Sequence, residues 1–295
     1  MTTRFTNFFV VLKKAFKQWW AKDPFNESAV IAYYAIFSLP GLLVVIITIA
    51  GYFFGQEAVD GQIKGQITAV MGTDTAQQIQ DIIVEGTKSK NSVWATLIGV
   101  LTILLGATGV FVEFQKALNT IWKVKVDETK SGIIHLIKVR LFSFGLIIAI
   151  VFILIVSLVI SATLGALGTW LIRYFSESFL LLLLVVNFIV ALGTHMLLFA
   201  FMFKFFPDVK IKWRHVWMGS LVTAVLFEIG KYALGLYFAK ATPGSSYGAA
   251  GSIILILLWV SYSSMIVFFG AEFTHSYAET TDGTIPPDEN ATKIN

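Results

Sequence analysis

The sequence predicts an all-α, polytopic membrane protein: six transmembrane helices preceded by an N-terminal amphipathic interfacial helix. Composition is the first reason. Of 295 residues, 56% are hydrophobic and 14% charged, against roughly 25% charged in soluble domains. Mean hydropathy is +0.76. The second reason is length. Six apolar stretches reach the about 20 residues a helix needs to cross about 30 Å of hydrocarbon. They are far too long for barrel strands of about 10 residues. Only helices and closed barrels satisfy every backbone group in lipid, so the spans are helices.

Residues 1–22 form the first element. RFTNFFVVLKKAFKQWW places Phe5, Phe8, Phe9, Leu12, Phe16 and Trp19 at helical spacing with lysines opposite. That pattern predicts a helix lying on the inner leaflet, drawn to anionic lipid. The alternative is a helix packed against the bundle. Lys13, Lys14 and Lys17 interrupt the first apolar run, so no cleavable leader is expected.

The membrane domain is expected over residues 23–278. Its spans run approximately 28–54, 92–114, 139–164, 179–206, 213–238 and 248–276. The first contains Pro40 and the fifth contains a charged pair. Between the first two lies a polar exterior insert, 56–90, where Ile63, Ile67 and Val70, then Ile79, Ile82 and Ile83, suggest a short helical pair. Residues 241–252, ATPGSSYGAAGS, read as an exterior connection. The tail, residues 279–295, is polar, contains Pro286 and Pro287, and is expected to be disordered and cytoplasmic.

Lys and Arg set the orientation. Five lie in the N-terminal arm. The second-to-third connection holds Lys116, Lys123, Lys125, Lys130, Lys138 and Arg140. The fourth-to-fifth holds Lys204, Lys210, Lys212 and Arg214. The alternate connections are poor in both residues, so both termini are expected in the cytoplasm. The net charge of +4 is thereby explained by topology and needs no nucleic-acid partner. There are no cysteines, which excludes disulfides, thiolate catalysis and Cys-ligated metals.

The polar residues inside the spans are the candidates for function. Glu228 and Lys231 lie three apart and share a helix face. Ala224, Gly235 and Ala239 fall near that face with Tyr232 beside them, while Leu226, Gly230 and Tyr237 lie roughly opposite. Such a face is expected to point into the bundle or a wet cavity. A lone charge at mid-bilayer costs about 2.5–3.5 kcal/mol on insertion scales, so the pair is either a self-satisfied packing device or a substrate or proton site. At 1.5 Å per residue, Glu228 lies about 22 Å along its span, in the outer half. The same counting puts Glu113, His195 and Glu272 near the inner side, where they would line an inward-facing vestibule. Ser261, Ser264 and His275 extend the Glu272 face as a polar stripe, which interhelical hydrogen bonding would also explain. Pro40 reads first as a passive kink; Ser38 and the carbonyl that it frees are further candidates for contacting a ligand or a neighbouring helix. Glu272 and His275 have the Glu-x-x-His spacing of di-iron bundles, but such sites need a second copy and two more carboxylates. No metal or cofactor is expected.

IAYYAIFSLP, ALNTIWKV, WRHVWMGSLVTAVLFEIGKYALGLYF and YGAAGSIILILLWVSYSSMIVFFGAEF together resemble the YihY/BrkB family of bacterial inner-membrane proteins with six spans. The resemblance covers roughly residues 20–278. Positions matching the family are Tyr33, Tyr34, Ser38, Pro40, Asn119, Trp122, Glu228, Lys231, Gly248, Gly251, Trp259, Gly270 and Glu272. The family was once labelled ribonuclease BN, and also carries the name virulence factor BrkB. No cluster of His and Asp here offers a two-metal phosphodiester site, and no nucleophile–base–metal arrangement is legible, so no enzyme is expected. The resemblance implies a bacterial inner-membrane location. The expected function is transport or flipping of an amphiphilic or lipid-like solute, with membrane lipids as partners. The alternative is a non-catalytic scaffold or envelope-assembly partner, docking through the exterior insert.

Overall fold

The computed structural model describes residues 2–38, 109–126, 178–241, 251–289 and 291–294, with isolated positions between 61 and 81 and at 156, 163 and 243. Side chains are described from Phe8 in the first stretch and from Val185 in the third. Apart from those isolated positions, the third expected span and the exterior insert lie outside the described residues, as do Pro40 and most of the first two spans.

The chain begins with α1 (Thr2–Ala21). Its last turn closes through Lys22 N to Trp19 O at 3.2 Å and Asp23 N to Trp20 O at 3.4 Å. Asp23 then takes a left-handed conformation, φ 49°, and turns the chain into α2, helical over residues 24–38. Pro24 occupies the first helical position, where a missing N–H is harmless. The Asp23 carboxylate accepts from Asn26 N at 3.5 Å as a loose N-cap.

Residues 109–121 form α3, which stops at Lys123, another left-handed residue at φ 55°. Strand β1 (Val124–Val126) follows. Then come α4 (Ser178–Phe205), α5 (Trp213–Ala241), α6 (Gly251–Asp282) and strand β2 (Ala291–Lys293). Three of these helices are long and apolar enough to cross a membrane: Val185–Phe205 of α4, α5 and α6. Pro207 follows the end of α4, where it cannot extend the helix. Gly283, at φ 79°, ends α6 in the left-handed cap conformation, donating N–H to Glu279 O at 3.0 Å.

The α5–α6 pair is an antiparallel hairpin held at backbone distance. Gly219 of α5 lies against Thr274 of α6, and Gly270 of α6 against Thr223 of α5; a Cβ at either glycine would collide with the facing hydroxyl. Each threonine donates back to its own helix, Thr223 Oγ1 to Gly219 O and Thr274 Oγ1 to Gly270 O, both at 2.7 Å. The two helices therefore present the same Gly-x-x-x-Thr ridge to each other. Lipid supplies no hydrophobic force between helices, so this close packing carries the association. Further along, Gly230 sits against Tyr262 and Ile266. Contrary to the sequence expectation, Gly230 is thus a contact to α6. Leu221, Val225, Ile229, Tyr232 and Leu236 form the exposed stripe of α5, the face suited to lipid.

The main apolar core joins α3, α4, α5 and α6 through Phe114, Leu118, Phe203, Phe206, Val216 and Phe268. The α1 helix packs on α6, burying Val11 and Ala15 against Phe273. Trp19 Nε1 donates to Met265 O at 3.1 Å, and Ser276 Oγ donates to Gln18 Oε1 at 3.0 Å. The bundle-packed alternative for α1 therefore describes one of its faces. Phe9, Val10, Phe16 and Trp20 remain exposed on the others.

The tail departs from the expected disorder. Strand β2 pairs antiparallel with β1, Val124 opposite Lys293 and Val126 opposite Ala291. Val209 bridges to Pro287, and Asp288 N donates to Asp208 O at 2.9 Å. The reason is that the segments just after α3 and α4 offer free backbone groups. A polar segment too poor in apolar residues to make its own core can still be held by pairing with them.

Candidate functional site

Glu228 is the centre of the site. Its side chain is 3% exposed, midway along α5. Oε2 lies 2.7 Å from Lys231 Nζ on the same helix. Oε1 lies 2.7 Å from Nδ1 of His195 on α4. The wall is aromatic: the His195 ring is 4.9 Å from Phe227 and stacks on Phe199, and Phe227 meets Trp259 edge-on at 6.1 Å. Lys231 sits 5.6 Å over the Tyr232 ring, and Tyr232 is 63% exposed. The cluster thus runs from a buried carboxylate to an ammonium at the edge of the helix pair.

This arrangement corrects the vestibule expected for His195. Counting from Phe179, where the expected span starts, puts His195 on the inner side, but α4 is 28 residues long, about 42 Å. That exceeds the hydrocarbon thickness, so the end chosen for counting decides the answer. In addition, helical side chains lean toward their own N-terminus. The α4 and α5 helices flank the short link 206–212 and run in opposite directions, so His195 and Glu228 lean toward each other. Of the small residues expected on the charged face, Ala224 is fully buried, whereas Ala239 is exposed.

The other expected members of the vestibule take other partners. Glu113 on α3 pairs with Lys116 at 2.7 Å, one turn away. Glu272 on α6 is 1% exposed and meets Lys22 at 2.7 Å. His275 Nδ1 is 3.5 Å from the other Glu272 oxygen, and its Nε2 is 3.2 Å from Glu279. Glu279 also takes Lys14 at 3.0 Å and Lys123 at 3.8 Å. Trp122 packs edge-on over His275 at 5.0 Å. This second cluster ties α1, the end of α3 and α6 together. The Glu-x-x-His pair therefore serves here as a junction of helices. Among the described residues no group of three or more His, Asp or Glu side chains gathers as metal ligands.

Ser38 is buried and donates to Ala35 O at 3.2 Å, within its own helix. The polar stripe on α6 does bond across helices: the hydroxyls of Ser261 and Ser28 lie 3.0 Å apart. Two partners escaped the sequence reading. Lys22, one of the five basic residues of the N-terminal arm, enters the sequence reading only as an orientation charge. Asp208 accepts from Asn119 Nδ2 at 2.7 Å and donates its N–H to Asn119 Oδ1 at 2.9 Å. Asn119 thereby fastens α3 to the α4–α5 link. Neither pairing has a spacing signal, because the partners are 250 and 89 residues apart.

A family profile described as Virulence factor BrkB matches residues 15–295. The chain is similar to a UPF0761 membrane protein of Tolumonas auensis, 28% identical over 192 residues, covering 64% of this chain and 60% of the relative. It is similar to a UPF0761 membrane protein of Alteromonas mediterranea, 27% identical over 253 residues, with 84% and 81% covered. A third, from Pseudoalteromonas atlantica, is 27% identical over 246 residues, with 83% and 78% covered. The first of these alignments spans less than two thirds of the relative's own length; the other two span more. No solved structure matches.

Proposed function

The chain belongs to the virulence factor BrkB family and is a multi-pass membrane protein, and from that premise we propose that it transports or flips an amphiphilic, lipid-like solute across the bacterial inner membrane. One observation supports this most: the three ionisable groups His195, Glu228 and Lys231 meet between two membrane-crossing helices. Charges inside a membrane are rare, and they mark pathways for ions, protons or polar substrate groups. A purely structural need for α4–α5 contact would be met by close, uncharged packing of the kind seen at α5–α6.

The chemistry suits an amphiphile with an acidic headgroup. Lys231 offers an ammonium beside an exposed aromatic ring. Glu228 holds that ammonium in place and has a second partner in His195 on the neighbouring helix. A headgroup that engages Lys231 would leave Glu228 with His195, so the carboxylate stays answered throughout. The solute's apolar part would remain against the exposed stripe of α5. No covalent step is involved. In this reading six spans place both termini in the cytoplasm, as the Lys and Arg flanks require.

The test uses purified full-length protein in liposomes carrying a trace of fluorescent phosphatidylglycerol. Dithionite added outside bleaches the outer-leaflet probe at once, and flipping exposes the inner pool to it. Wild type is expected to bleach beyond the outer-leaflet pool, with Glu228→Gln slowed at least tenfold. Wild-type liposomes that bleach like protein-free ones would count against the proposal, as would an unaffected Glu228→Gln.

A further inference from the structure

We infer that a cleft between α1, α5 and α6, at the end where α5 starts and α6 finishes, is a resident binding site for an anionic phospholipid. The cavity has a volume of about 640 Å³, within the range of roughly 300–1,000 Å³ usual for ligand sites. Phe8 and Val11 of α1 and Met218 of α5 give it an apolar side, and Arg214 lies one helical turn from Met218. Tyr277, Thr280 and Thr281 close it along α6.

The bilayer itself supplies the occupant. Arg214 is the second residue of α5. Beside it Trp213 and Trp217 stack at 5.8 Å and are both exposed, as aromatic residues are at a membrane–water boundary. A groove at that level which is apolar on one side and cationic on the other matches the chain and headgroup of a phospholipid.

Charge selects the headgroup. Asp282 takes Lys212 at 2.9 Å and also contacts Arg214. His215 Nε2 also stands 3.2 Å from Asp282, so this one carboxylate faces two formal cations and leaves an excess of one positive charge. Arg214 also donates from Nε to His215 Nε2 at 3.0 Å, and its side chain is still 57% exposed. Guanidinium geometry suits a phosphate. Thr280 and Thr281 direct their hydroxyl protons to Ser276 O and Tyr277 O, at 2.7 and 2.8 Å. Their oxygens are left as acceptors, which fits a phosphodiester whose headgroup carries hydroxyls, as phosphatidylglycerol does. This site is separate from the His195–Glu228–Lys231 cluster, and its test does not depend on transport.

The experiment is thermal unfolding of delipidated full-length protein titrated with phosphatidylglycerol, phosphatidylcholine or free glycerol phosphate. Phosphatidylglycerol is expected to raise the Tm of wild type saturably, and well above the effect of the other two. Arg214→Gln should weaken the apparent affinity about tenfold, the loss expected for one charge-assisted hydrogen-bond partner. Met218→Trp, which fills the apolar side and leaves the charges intact, should abolish the saturable shift. Equal shifts with phosphatidylglycerol and phosphatidylcholine would overturn the proposal. An equal shift with glycerol phosphate would show a water-facing anion site instead, and overturn it too. Retention of the full effect in Met218→Trp would do the same.

Discussion

At Glu228 the two carboxylate oxygens are divided between cations from two helices, Lys231 on its own and His195 on the next. This division has a consequence for single substitutions. Lys231→Met leaves His195, and His195→Gln leaves Lys231, so either alone is expected to lower stability modestly. Removing both strands a buried carboxylate, which costs about 3–5 kcal/mol in soluble proteins. The measurement is thermal unfolding in one detergent across the four variants of the cycle. Strict additivity of the two losses would show that the groups do not share Glu228. Glu272 differs from Glu228 in that only Lys22 is close, at 2.7 Å, while His275 stands off at 3.5 Å. Lys22→Met should destabilise by a similar about 3–5 kcal/mol, and Lys22→Met with Glu272→Gln should recover most of it. If the double variant is no more stable than the single, that pair is not the source of the loss. Residue identity was legible here and partnership was not. Glu228 and Lys231 are visible as a pair because helical geometry fixes what lies three apart. His195 is 33 positions before Glu228, and its depth depends on which end of an over-long helix is level with the membrane.

Among the described elements, α5 and α6 approach at backbone distance, through Gly219 and Gly270. Their Gly-x-x-x-Thr ridges were present in the sequence as GSLVT and GAEFT, yet only their mutual register shows that each glycine receives the other helix's threonine. Gly219→Ala is expected to push the helices apart and to destabilise by about 1–3 kcal/mol, the usual range for overpacking. Thr274→Gly in the same protein should restore part of the loss, since it clears the atoms that the new methyl meets. Thermal unfolding of the single and double variants decides this; a neutral Gly219→Ala would contradict the close approach. The α1 helix teaches a related lesson. Its apolar residues are spread too widely for one narrow face, so it can bury Val11 and Ala15 on α6 and still keep Phe9, Phe16 and Trp20 outward. A periodicity count finds an amphipathic helix but cannot say which of two apolar sectors meets protein.

For the whole molecule, the spans at 179–206, 213–238 and 248–276 were recoverable from length and hydropathy, because lipid permits few alternatives to a long helix. The tail was not, because it is held by backbone pairing to β1 and to the 206–212 link, and such pairing leaves no mark in side-chain pattern. Ending the chain after Gly283 should therefore lower the unfolding temperature while leaving membrane insertion intact; unchanged stability would mean that the β1–β2 clasp contributes nothing. The charge asymmetry of the flanks predicts that reporters fused at the C-terminus and at residue 75 report opposite sides of the membrane, and the same side for both would overturn the six-span topology. The central claim is that His195, Glu228 and Lys231 act on a solute and do not merely hold α4 to α5. Its most direct measurement is the flipping rate of fluorescent phosphatidylglycerol in liposomes containing Glu228→Gln with Lys231→Met, a variant whose charges are removed together and which should therefore unfold near the wild-type temperature. The account predicts a protein as stable as wild type with flipping reduced to the protein-free rate. A stable double variant that flips at the wild-type rate would contradict it.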